Sequence, residues 1–361
     1  MKRSLHITYI MLTLVAISCN RLSVDISDTH PIYMSAVMQE NIGNAVKSPY
    51  TAEIPSSSAP LAAKVLISTD PNSYSHTGQD GTLGPIGIHT NARFTSGESQ
   101  LLNGALYNGD KSKQGDVYFS ALHPQNDWTI SNDGKKASYT FSGTQDVMFA
   151  PETIGRYASS TEKSNSQTPT LEFCHLLTYI KLYLYAASEE VAHAWGKVTS
   201  ITIRNNSIDM GHGSKTVTID LKTGNPEFVN QENYEASFYT ETDTIFPEAN
   251  GHTLSFPNAP PTENAYVLMA PVIAKAADLE DQNRLIPEFE IVITTENRSA
   301  LVNIDLTNSI ANTYYAGDTA GKQFSLTLKF TMGNTVAAQA MVTDWATGGI
   351  GIGDFEENLN P

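Results

Sequence analysis

The sequence predicts an all-β protein: two antiparallel sandwiches in tandem, with one short helix. Three observations predict it. Apolar residues recur at every second position in segment after segment, as in Val117, Phe119 and Ala121, or Ile180, Leu182 and Leu184; this is the period of a half-buried strand. Clusters of Gly, Pro, Asn, Asp and Ser separate these segments, as turns do in all-β folds. Charged residues make up only 17% of the 361, against about 25% in an average soluble protein. Thr, Ser, Asn, Tyr and Val fill the gap and suit strands and turns. The length fits two domains, each able to bury its own core.

Residues 1–18 read as a processing signal. Lys2 and Arg3 precede an apolar run from Ile7 to Ile17 that is too short to span a bilayer comfortably. Ala16-Ile17-Ser18-Cys19 has the layout of a bacterial lipobox, with Ala where Leu is usual. Cys19 is therefore the expected site of lipidation, the other reading being ordinary cleavage near Ser18. The second cysteine, Cys174, lies in the apolar run Leu171–Leu177 and reads as a small buried hydrophobe. Such a mature fold stands on core packing, without a disulfide.

Residues 19–47 read as a tether followed by a first strand. Pro31 to Met38 carries Ile32, Met34 and Ala36 on one face. The prolines and serines of residues 48–60 favour an extended, exposed segment. Residues 48–165 are assigned to an N-terminal sandwich. Its strands are Leu61–Ser68, weak strands within 70–115, Asp116–Leu122, and a hairpin of Trp128–Ile130 and Ala137–Phe141 about Asp133-Gly134. A short run from Val147 to Ala150 is closed by Pro151. Residues 166–361 form the second sandwich, beginning with one long strand from Leu171 to Ala187. A helix follows, capped by Ser188, with Glu189 and Glu190 at its start, Val191 and Trp195 on one face and Gly196 at its end. Further strands are expected at 198–204, 215–221, 266–269, 289–294, 300–306, 323–332 and 336–345.

The residues offer little for catalysis. A formal charge of -16 without a basic cluster argues against nucleic-acid binding. Asp209 to Thr216 only faintly resembles a phosphate loop, and a hairpin turn is the better reading. The nine His show no i, i+4 pair, so neither a metal site nor another cofactor is expected. His175, within an apolar strand, reads as a buried, hydrogen-bonded side chain. The chain is not expected to be an enzyme. Trp128, Trp195 and Trp345, with sixteen Tyr, leave open a carbohydrate platform on a surface lipoprotein, although two of the Trp sit beside alternating apolar residues where a core anchor is expected.

Several stretches together resemble the fimbrillin family of Bacteroidales lipoproteins. They are Leu122-His123-Pro124-Gln125-Asn126-Asp127-Trp128, Gly143 to Ala150, Phe173-Cys174-His175-Leu176-Leu177, Ala194-Trp195-Gly196-Lys197-Val198, and Gly317 to Trp345 with its closing Val342-Thr343-Asp344-Trp345. The resemblance implies two transthyretin-like sandwiches and a stalk, tip or anchor subunit of a type V pilus serving adhesion. It implies export as an acylated (palmitate-bearing) lipoprotein to the outer membrane, surface-exposed and part of a fimbria. It also implies assembly with other pilus subunits by β-strand addition, after a protease removes the first strand and opens a groove. Here the cut would follow Lys47, which otherwise reads as a solvated loop lysine. No Arg lies between Arg21 and Arg93, so an Arg-only protease has no suitable site there. The donor strand would be the C-terminal tail, where Ile350 and Ile352 alternate with Gly351 and Gly353. A host or bacterial surface ligand is a further possible partner.

Overall fold

The computed structural model of the protein describes residues 30–38, 60–68, 70, 72–74, 88–94, 100–107, 116–156, 169–205, 215–228, 235–256, 263–271, 288–305, 321–333 and 335–344. In chain order the first strands are β1 (His30–Met38), β2 (Leu61–Ser68), β3 (Ile88–Phe94), β4 (Gln100–Tyr107), β5 (Asp116–His123), β6 (Thr129–Ile130), β7 (Lys136–Thr140), β8 (Met148–Arg156) and β9 (Thr170–His175). Next come β10 (Thr178–Ala186), helix α1 (Glu189–Trp195), β11 (Val198–Asn205), β12 (Thr216–Asp220), β13 (Pro226–Phe228), β14 (Glu235–Tyr239) and β15 (Ile245–Phe246). The last are β16 (Ala265–Met269), β17 (Glu288–Thr295), β18 (Ser299–Asp305), β19 (Lys322–Phe330) and β20 (Val336–Asp344). The all-β class with one helix is as the alternation predicts.

Three sheets result. The first runs β3-β2-β5-β8-β9-β1-β4. Its inner face is written in β2, whose Leu61, Ala63, Val65 and Ile67 alternate into one core with Phe94, Phe119 and Phe173. The second runs β18-β17-β11-β14-β16-β10-β19-β20, with β15 on β14. Ile180, Leu182 and Leu184 of β10 alternate into a second core with Phe238, Phe324 and Trp195. Most pairings are antiparallel, but β1 lies parallel to β9 and β10 parallel to β19.

The third sheet, β13-β12-β7-β6, takes two strands from each half of the chain. β7 and β12 pair from Lys136↔Asp220 to Thr140↔Thr216, with the Ser138 and Thr218 hydroxyls 2.8 Å apart. The inner side chains of this sheet, Ala137, Tyr139, Val217 and Ile219, close a third core over Leu66 and Phe149 of the first sheet and Tyr179 and Leu268 of the second. Gly224, in the turn before β13, has φ +75°, and a Cβ there would stand 3.0 Å from the Phe149 ring. Only glycine gives both the turn and the close approach.

Two expectations are corrected. The single strand expected from Leu171 to Ala187 is two: β9 belongs to the first sheet and β10 to the second, with Leu176-Leu177 between them in the third core. β9 follows the expected boundary at 165/166 yet pairs within the first sheet, and the two sheets share the third core. Both leucines at the break are buried, which disguises it as continued strand. Finally, Pro151 does not close its strand. Ala121 faces Ala150 while Phe119 faces Thr153, so Ser120 stands opposite two residues, Pro151 and Glu152. A bulge tolerates a proline because the ladder is already interrupted there. The Ser120 hydroxyl donates to the Ala150 carbonyl at 2.9 Å.

Helix α1 forms as its caps predict. The Ser188 hydroxyl accepts from the Val191 N–H, and Gly196, at φ 74°, returns its N–H to the Ala192 carbonyl. Its purpose is to place Trp195. That indole is fully buried, donates to the Thr331 carbonyl at 2.9 Å and meets Phe330 edge-on at 5.1 Å.

Candidate functional site: the first strand and its slot

β1 is held by different neighbours at its two ends. His30 to Met34 pairs antiparallel with β4, the register slipping between Pro31 and Tyr33. Ser35 to Met38 pairs in parallel with Thr170 to Phe173 of β9. The Ser35 N–H donates to the Pro169 carbonyl at 3.2 Å, and its hydroxyl lies 2.8 Å from that of Thr170. Met34 (0% exposed) and Ala36 (5%) point into the first core, two residues apart as strand geometry requires. The side chain between them, Ser35, is only half-buried.

Every other described strand follows β1 in the sequence, and nothing is threaded through it. A break anywhere between Met38 and Leu61 would leave β1 attached by hydrogen bonds and packing alone. Its departure would leave a slot about 30 Å long, walled by β4 at the His30–Met34 end and by β9 at the Ser35–Met38 end. The floor is the apolar first core, and each wall would carry unpaired main-chain groups. An extended segment fits such a slot because it satisfies those groups and fills the vacated pockets.

The other sequence-predicted positions are distributed as follows. Cys19, Lys47, Trp345, Ile350 and Ile352 lie outside the described residues. Trp128 (6% exposed) and Trp195 are core anchors, as their apolar surroundings predict, and neither serves a carbohydrate platform. Trp128 donates to the Pro124 carbonyl at 2.8 Å and packs 5.0 Å from Tyr139. Cys174 is partly buried, donates its thiol to the Phe149 carbonyl at 3.2 Å, and has its pKa pushed up to about 11 by burial. Of the stretch Asp209 to Thr216, residues 209–214 lie outside the described residues, and Thr216 begins strand β12.

His175 is buried, as its apolar setting predicts, with Nδ1 3.0 Å from Asp146 Oδ1. His123 completes a buried polar cluster: its Nδ1 donates to the Ala62 carbonyl at 2.7 Å. Burial holds the His123 pKa below its ordinary value, so the ring is neutral. His123 and His175 each face Met148, from either side of β8. The cluster thus ties the ends of β5, β8 and β9 together near the slot. Among the described residues no set of three His, Cys, Asp or Glu side chains is placed to hold a metal. The site missed in the sequence is the β9 wall. It lay hidden because alternation reveals a buried face but not the strand beside it.

No protein-family model matches the chain, and no curated protein does. Solved structures to which the chain shows similarity include a candidate cell adhesion protein from Bacteroides uniformis, with 13% identity and a TM-score of 0.49, covering 88% of this chain and 99% of that one. A candidate adhesin from Bacteroides ovatus has 10% identity and a TM-score of 0.47, covering 86% and 95%. A fimbrial protein from Bacteroides vulgatus has 12% identity and a TM-score of 0.43, covering 88% and 99%. All three scores fall below 0.5.

Proposed function

We propose that the chain is a structural subunit of a surface fimbria: a pilin precursor, exported as a lipoprotein through Cys19 and assembled by strand exchange to serve adhesion. The observation that carries this reading is β1. It is the first described strand, its two halves pair with different neighbours, and it plugs an apolar core with Met34 and Ala36. Cleavage after Lys47 would free it. A segment from the next subunit, the tail bearing Ile350 and Ile352, would take its place. Burying two Ile side chains contributes only about 3–6 kcal/mol, so main-chain pairing along the slot must supply much of the hold.

Limited digestion with a lysine-specific protease, followed by sedimentation, tests this. Cleavage at Lys47 should yield oligomers that grow with concentration, and deleting residues 349–361 should abolish them. Digested protein that stays monomeric at high concentration defeats the strand-exchange reading.

A further inference from the structure

β10 carries two faces. Ile180, Leu182 and Leu184 enter the second core, while Tyr179, Lys181, Tyr183 and Tyr185 project from the opposite side. The lower part of that outer face is covered. Tyr179 and Leu268 lie in the third core, and the Tyr239 hydroxyl donates to the Ser142 carbonyl at 3.1 Å. The Tyr179 hydroxyl donates to Glu263 at 3.3 Å, and that of Tyr266 to Asp243. β10 then runs out from under this cover. Tyr183 and Tyr185 belong to none of the three cores and remain half-buried. Among the described residues their hydroxyls have no hydrogen-bond partner.

The surroundings of these two rings define what could rest on them. Across the parallel register, Thr327 stands beside Tyr183 and Lys329 beside Tyr185, with Ser255 bridged to Tyr185 on the other side. Lys181 is ion-paired to Glu263 at 2.8 Å, and of the residues set directly beside the two rings, Thr327, Lys329 and Ser255, only Lys329 is charged. One ammonium among hydroxyls makes no site for a cation and too little by itself for an anion. The patch offers two aromatic side chains on one face of a strand, about 7 Å apart at their Cα atoms, framed by hydroxyls and an ammonium. Apolar ring faces bordered by donors and acceptors suit a ligand with a C–H face and many hydroxyls.

We propose that the outer face of the second sheet binds a neutral oligosaccharide, stacked on Tyr183 and Tyr185 and hydrogen-bonded by Thr327, Lys329 and Ser255. This site lies on the second sheet while the β1 slot belongs to the first, and it does not depend on assembly, so the uncut monomer serves as the test material. The probes are neutral hexasaccharides of glucose, mannose, galactose and N-acetylglucosamine, with sialylated and sulfated oligosaccharides alongside, titrated by calorimetry. At least one neutral probe should bind saturably. Y183A/Y185A should weaken it tenfold or more at an unchanged unfolding midpoint, while Lys135→Ala, in a separate cleft beside Asn72 and Lys222, should leave it intact. If the double variant does not fold, Thr327→Arg, which thrusts a bulky charge across the same face, should produce the same loss. Absence of binding to every neutral probe overturns the proposal, as does binding confined to the acidic probes. Binding that survives these variants, or a double variant whose only change is lost self-association, overturns it equally.

Discussion

Replacing Met34 by Ala separates a removable plug from an integral strand. Met34 is fully buried in the first core, and truncating such a side chain costs about 2–5 kcal/mol. If β1 can leave while the sheet stays folded, that cost falls on its local opening. At about 1.4 kcal/mol per tenfold, the open population rises roughly thirtyfold to a few thousandfold. Hydrogen exchange resolved by residue is the assay. The Ser35 amide, bonded to Pro169, and the facing amides of β4 and β9 should lose protection. The amides of β10 and β19, in the second sheet, should keep theirs. After cleavage and release of β1, wild type and M34A should unfold at the same midpoint, because the altered residue is gone. Protection lost equally in both sheets, or unchanged in β1, would show that β1 does not open alone, and the plug argument would fall.

Three further outcomes are expected. Trp195→Ala should destabilise the second sheet by about 3–5 kcal/mol, read as a shift in denaturant midpoint, and a loss below 1 kcal/mol would show that the indole is not an anchor. Cys19→Ser should abolish incorporation of a fatty-acid analogue and release the protein from membranes; unchanged retention would contradict the lipid anchor. The His123 pKa is depressed below 6.5 by burial, so the unfolded chain binds this proton more readily than the folded one. The stability it contributes is present above pH 6.5 and lost as pH falls from there toward the folded value, by at most about 1.4 kcal/mol per pH unit. His123→Gln should flatten the unfolding midpoint between pH 7 and 5, and an unchanged slope would exclude His123 as the source.

Much of the fold is legible because burial follows period. The alternation of β2, β5, β10, β12 and β19 names their inward residues directly, and the Ser188 and Gly196 caps bracket α1. Partnership is not legible. Nothing in Ser35–Met38 states that β9 lies alongside in parallel, since pairing is written in tertiary register and not in local composition. β14 was missed because only Ala236 and Phe238 of its five residues face inward, too short a signal among polar neighbours. Of the candidate site, Met34 and Ala36 could be read from spacing, while the walls of their slot could not. The tryptophans are legible in another way: aromatic content marks large buried area as readily as exposed platforms, and apolar neighbours mark Trp128 and Trp195 as the buried kind.

The direct passage from β9 through Leu176-Leu177 into β10 also fixes how the molecule bears load. No compliant linker separates the two sheets at that point. A pull on whatever fills the slot beside β9 travels along the main chain into β10 within two residues. There it meets β19, which runs parallel to β10 in continuous register from Tyr179↔Gln323 to Ala186↔Phe330. Tension along β10 loads that ladder in shear, so its bonds must yield together and not one after another as in unzipping. Tension would thereby pass from one sheet to the other without a soft element, the third core bracing the joint.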